Sequence, residues 1–331
     1  MTRPSAAQPA EHDRARGHDP ASEDSLPPSE RRNPASIGLD RLGTAELLAL
    51  INREDATVPG AVAVALPSIE ALVGAGLATL ARGGRVHYFG AGASGRAALA
   101  DAVELLPTYG VGPETVCPHL AGGPPAGGTA DEAAEDRADG VDADHVRAGD
   151  LAIGISASGR TPYVGAALAR SRAAGAVTAL ISGDPAAPLA ADADLHIVLD
   201  TGPEVVTGST RMKAGTAQKL TLNMFSTALM VRTGHTWSNL MVTASASNAK
   251  LRRRAVRTLT RASGAAVDEA EQALHDCADE TATALVSLTT GAGPAAARAA
   301  LREAGGLPWA AVRTLTRPDG APHPHTPEDR P

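Results

Sequence analysis

Tyr88-Phe-Gly-Ala-Gly-Ala-Ser-Gly-Arg96 and Ile153-Gly-Ile-Ser-Ala-Ser-Gly-Arg-Thr-Pro162 share one tetrapeptide, Ala-Ser-Gly-Arg, at 93–96 and again at 157–160. Each copy ends a short apolar run and opens a helical pattern. Working outward, further apolar runs lie at Arg85–Phe89, Thr115–Leu120, Leu151–Ile155, Val177–Ile181 and Leu195–Leu199. The second is weaker, being interrupted by Pro118 and His119. Strands that alternate with helical patterns predict βαβ units and a parallel sheet covered on both faces. The expected fold class is therefore α/β: a doubly wound, mostly parallel five-stranded sheet.

The flanks complete the plan. Residues 1–29 are rich in Pro, Ser and charge without apolar periodicity, which predicts a disordered tail, and 315–331 reads the same way. A catalytic domain is expected over 30–246. Thr44 is placed to cap a helix over Ala45–Asn52, a longer helix is expected from Val58 to Ala81, and another from Ser209 to Val231. Residues 247–314 show only helical patterns, three or four short Ala-rich segments, and predict a small all-α C-terminal unit.

The repeated loops favour an anionic ligand. A helix N-terminus presents unpaired N–H groups and a partial positive charge. Glycines such as Gly95 let backbone approach a ligand, and Ser94, Ser158 and Thr161 add hydroxyls. In a doubly wound sheet such loops lie at the carboxyl ends of the strands, where ligands bind. Two loops of one design suggest one site for a phosphate and sugar hydroxyls; an ordinary N-cap role for the serines is the plainer alternative. Gly90–Gly95 also fits the dinucleotide fingerprint. The second run, however, ends in Leu120-Ala-Gly-Gly123, with no carboxylate for a ribose.

A third segment, Thr201 to Lys219, joins the last strand to the long helix. Only three lysines occur, Lys213, Lys219 and Lys250, and two of them fall here. Arg211 and Lys213 near a helix start oppose its dipole, which an anionic partner would explain. Ser209 can cap or bind. Glu204, in the approach loop, can meet a hydroxyl or simply cap.

Candidate acid–base groups are less distinct. Glu104 lies on the helix opened by the first loop, beside Leu105 and Leu106, and apolar surroundings can raise a carboxyl pKa. Glu135 sits among Asp131, Glu132 and Asp136, and the residues alone do not select it.

Composition excludes several classes. Net charge is −7, which argues against a general nucleic-acid or membrane-surface role. Aromatics are only 2%, so the core must be Ala, Val, Leu and Ile. The two cysteines, Cys117 and Cys277, show no metal or redox spacing and suit a reducing, cytoplasmic compartment. No apolar run is long enough to span a membrane, and no metal or redox cofactor is expected.

Taken together the residues resemble the sugar isomerase (SIS) domain, and within it the N-acetylmuramic acid 6-phosphate etherases. The resemblance rests on Glu30-Arg-Arg-Asn-Pro34, Asn52–Val58, Gly90–Arg96 running to Glu104 and Pro107-Thr-Tyr-Gly110, Ser158–Tyr163, Gly202–Asn223, Asn239-Leu-Met-Val242 and Asn248. It implies a SIS-type, flavodoxin-like sheet and a D-lactyl ether cleavage by two glutamates. Glu104 matches one of them. Ala121-Gly-Gly123 anchors the alignment of the other, Glu135. It further implies a homodimer and a phosphosugar held by Ser94, Gly95, Ser158, Thr161, Glu204, Ser209 and Lys213. Ala93 and Ser156 depart from the family pattern, which usually has Thr and Ala there. A non-catalytic phosphosugar sensor and an aldose–ketose isomerase are the alternatives.

Overall fold

A computed structural model describes residues 26–123, 132–139, 141, 145–243 and 249–316. The expected tails fall mostly outside these residues. The boundary near Glu30 is late, however: Pro28 and Ser29 are buried, and the Ser29 carbonyl accepts from the Gly208 N–H at 2.9 Å.

Five strands form the sheet: β1 (Val86–Gly90), β2 (Val116–Leu120), β3 (Leu151–Ile155), β4 (Val177–Ser182) and β5 (Leu195–Val198). Their order is β2-β1-β3-β4-β5, and every pairing is parallel. The sheet is thus the doubly wound one expected, and its strand order reverses between β1 and β3. β1 and β3 are buried along their whole length, as strands covered on both faces must be.

Side chains divide by the period of two. Val86, Tyr88, Leu151, Ile153, Ile155, Ala179 and Ile181 face one core. The helix α1 (Thr44–Asp55) precedes the helices that cover that core, α2 (Val58–Val64), α3 (Leu66–Ala81), α4 (Gly92–Tyr109) and α6 (Lys213–Arg232), with α5 (Pro162–Ala173) lying on the opposite face. Phe89, Ala152 and Leu180 face that second core with Tyr163, Val164 and Leu168 of α5. Gly154 is needed there, because a Cβ would stand 2.6 Å from Val164 Cγ1.

Three expected helices differ in detail. The single helix over Val58–Ala81 is two, broken at Ala65, because Pro67 lacks an amide hydrogen and suits only a first turn. The first helix begins at Thr44 itself, and Glu46 bonds back to the Gly43 N–H at 3.0 Å. The long helix starts at Lys213 rather than Ser209. Beyond it a short antiparallel pair, β6 (Thr236–Trp237) and β7 (Leu240–Met241), leads to α7 (Ala249–Ser263), α8 (Val267–Asp276), α9 (Thr281–Thr290), α10 (Pro294–Glu303) and α11 (Pro308–Thr316). The C-terminal unit is all-helical as expected, with five helices among the described residues and small apolar cores of its own.

Candidate functional site

The register Gly90↔Ile155 ends β1 and β3 at the same level, at the point where the strand order reverses. Both Ser-Gly-Arg loops leave from there. Ligands in open α/β sheets bind in the crevice at such a switch point.

In the first loop α4 begins at Gly92, whose φ of +51° suits glycine. Gly95 donates its N–H to the Ala91 carbonyl at 3.0 Å. A Cβ on Gly95 would lie 2.5 Å from the Gly90 oxygen and 2.3 Å from Leu120 Cδ1. Gly95 therefore serves the close packing of helix on strand, and its backbone is what remains for a ligand. Ser94 is 8% exposed, in the first turn where amides lack helical partners. Its hydroxyl has no hydrogen-bond partner among the described residues.

The second loop is internally braced. Ser156 Oγ accepts from the Gly159 N–H at 3.0 Å and lies 2.9 Å from Thr161 Oγ1. Gly159 has φ +64°, and a Cβ would stand 2.3 Å from that of Ala187. Ser158 Oγ receives the Arg160 N–H at 3.3 Å, while the Arg160 guanidinium pairs with buried Asp184. The hydroxyls of Ser158 and Thr161 are half-exposed at the head of α5.

The third segment forms a polar knot. Both oxygens of Glu204 accept the first amides of α6, from Lys213 and Ala214, each at 2.9 Å. Glu204 is fully buried. Of its two expected uses the carboxylate serves the cap, and the substrate contact that was the other expectation has no exposed oxygen to make it. Lys213 is 3% exposed, and its Nζ donates to Glu54 Oε2 at 2.8 Å. Asn33 Nδ2 donates to the same oxygen at 2.8 Å and to the Pro203 carbonyl at 3.2 Å. Lys213, through its hydrogen bond first, holds the Glu54 carboxyl below its ordinary value. Here Lys213 meets an anion of its own chain. Ser209 is half-buried in the loop ahead of the helix, its carbonyl accepting the Met212 N–H at 3.1 Å.

The two glutamates stand apart from these loops in different ways. Glu135 occupies a single 3-10 turn, Glu132–Asp136, and is exposed. The neighbouring Ala134 is buried in the second core, and the turn packs against α5, the helix that the second loop opens. Glu104 follows Ser94 by ten positions, about 15 Å along α4 at roughly 1.5 Å per residue. Its side chain is exposed, because Leu105 turns into the core and does not flank the carboxylate. Val103 and Leu106 beside it are 55% and 57% exposed.

Some polar groups gave no sequence signal. Asp101, one turn before Glu104, accepts from Tyr88 Oη at 3.2 Å and Ser226 Oγ at 3.0 Å. Burial raises its carboxyl pKa, against the opposing hydrogen bonds. It ties α4 to β1 and α6, and thereby fixes the rotation of the helix that carries Glu104.

A family model described as SIS domain matches residues 131–228. The N-acetylmuramic acid 6-phosphate etherase of Thermobifida fusca is 55% identical over 265 residues, 80% of this chain and 87% of that protein. The etherase of Cutibacterium acnes is 46% identical over 291 residues, 87% of this chain and 96% of that one. Among solved structures, a phosphoheptose isomerase from Francisella tularensis superposes with a TM-score of 0.42 at 16% identity, over 56% of this chain and 98% of that one.

Proposed function

From the premise that the chain belongs to the N-acetylmuramic acid 6-phosphate etherase family, we propose how its own residues carry out the reaction. The chain is a carbon–oxygen lyase that converts N-acetylmuramic acid 6-phosphate and water to N-acetylglucosamine 6-phosphate and D-lactate. The observation that carries the site is the departure of both Ser-Gly-Arg loops from adjacent strand ends at the switch point. Their free helix amides and the hydroxyls of Ser94, Ser158 and Thr161 hold the 6-phosphate and neighbouring hydroxyls.

Opening of the sugar ring exposes a C1 aldehyde, which acidifies the C2 proton. Glu135 takes that proton. The C3–O bond breaks with its electron pair on the lactyl oxygen, which Glu104 protonates, leaving a C2=C3 double bond conjugated with the aldehyde. Water then adds at C3 and a proton returns to C2. No hydride moves, so both glutamates work as acid–base groups.

Glu104 lies too far along α4 to share a small substrate with Ser94 of its own chain. Its exposed apolar neighbours Val103 and Leu106 suit contact with a second copy. We therefore propose a homodimer in which Glu104 is presented to the partner's loops. A cytoplasmic location fits two cysteines that form no disulfide and a phosphorylated substrate.

The binding part is tested by D-lactate release against substrate concentration. Ser158→Ala removes a hydrogen bond to a charged group, about 1.5–3 kcal/mol, and the KM should rise roughly tenfold to a hundredfold. Unchanged kinetics in both Ser94→Ala and Ser158→Ala would remove these loops from the site.

A further inference from the structure

His87 and Cys117 are register partners on β1 and β2, and His119 follows on the same face. The ligand atoms of all three lie within 4.8 Å of one another. His87 Nδ1 and His119 Nε2 are 3.0 Å apart. Two imidazoles on one tetrahedral zinc, at about 2.0–2.1 Å from the metal, stand roughly 3.3 Å apart. A shift of a few tenths of an ångström thus separates this pair from a coordination geometry. A hydrogen bond between the imidazoles accounts for the pair, but not for the opposite edge of His87.

That edge supplies the second observation. His87 is fully buried, and its Nε2 lies 3.4 Å from Asp150 Oδ2 without completing a hydrogen bond. Asp150 is itself fixed by the amides of Arg85 and Arg147, each at 2.8 Å. A carboxylate behind the distal nitrogen of a histidine is the usual support of a metal-bound imidazole, since it sets the tautomer that leaves the other nitrogen free. His119 is held in place by stacking on Phe89 at 4.4 Å between centroids. Cys117 and His119 are partly exposed, which gives an ion a way in, whereas His87 is enclosed.

We propose that His87 Nδ1, Cys117 Sγ and His119 Nε2 form a binding site for one borderline-soft divalent transition ion of the zinc class. A nitrogen–nitrogen–sulfur donor set selects such ions over magnesium or calcium. Asp150 orients His87 as its carboxylate partner. On binding, the Cys117 thiol gives its proton to solvent. His119 carries its ring proton on Nδ1, so that the Nε2 lone pair coordinates. The site is separate from the phosphosugar loops. Phe89, on which His119 stacks, belongs to the same core as Ala134, the neighbour of Glu135.

The test uses the full-length, tag-free, reduced and metal-stripped protein titrated with Co²⁺. A thiolate-to-cobalt charge-transfer band and tetrahedral visible bands should saturate at one equivalent and vanish when Zn²⁺ is added. Cys117→Ser should abolish the charge-transfer band, His119→Gln should weaken binding at least tenfold, and Cys277→Ser should change neither. Both Cys117 and His119 are partly exposed, so circular dichroism on these variants can verify an intact fold. Absence of a thiolate–cobalt band in the wild type overturns the proposal. So does a band that survives Cys117→Ser, or cobalt binding without thiolate character, as by His323 and His325 near the C-terminus.

Discussion

Glu104→Gln should release no measurable D-lactate from N-acetylmuramic acid 6-phosphate, yet should still exchange the C2 hydrogen in heavy water. Glu135→Gln should do neither. Both variants lose a proton transfer that contributes roughly 10²–10⁴-fold, and the exchange separates their roles. The proposal makes Glu135 the base at C2 and Glu104 the acid. The opposite exchange pattern would swap the roles. Full activity in both variants would remove these glutamates from the chemistry. Both side chains are exposed, so neither substitution leaves a buried group unpaired, and a lost activity would not reflect a lost fold.

The second large effect concerns stability. Lys213→Met should lower the unfolding free energy by about 3 kcal/mol, the lower end of the cost of breaking a buried ion pair. The lower end applies because Glu54 keeps 18% exposure and its bond from Asn33. The double variant Lys213→Met/Glu54→Gln should recover much of the loss, since no charge is then stranded. The sign of the pH dependence follows. Lys213 depresses the folded-state pKa of Glu54, so the contribution is present at neutral pH and is lost as pH falls below the ordinary carboxylate value. Denaturant unfolding of the three proteins at pH 7 and near pH 4 measures both. A Lys213→Met protein of unchanged stability but raised KM would instead assign Lys213 to the phosphate, as the sequence suggested.

The contrast shows what the sequence could carry. The repeated Ser-Gly-Arg loops and the spaced apolar runs were enough for the sheet and for the two loops at its carboxyl edge, because strand, glycine turn and helix start are local features. The start of α6 was not legible. Ser209 and Glu204 both read as possible caps, and the cap is Glu204, nine positions before Lys213. That choice depends on Asn33 and Glu54 reaching the same place from the far side of the chain. Pro67 was a local signal for the helix break at Ala65. The apolar setting read around Glu104 failed because Leu105 is on another side of the helix. His87, Cys117 and His119 gave no spacing signal, since two parallel strands bring them together.

The reaction itself is tested most directly by one incubation of the wild-type chain with N-acetylmuramic acid 6-phosphate in ¹⁸O-labelled water. Elimination followed by water addition at C3 predicts D-lactate in step with N-acetylglucosamine 6-phosphate, with one labelled oxygen at C3 of the sugar and none in the lactate. Labelled lactate, or no lactate from the intact protein, would contradict it.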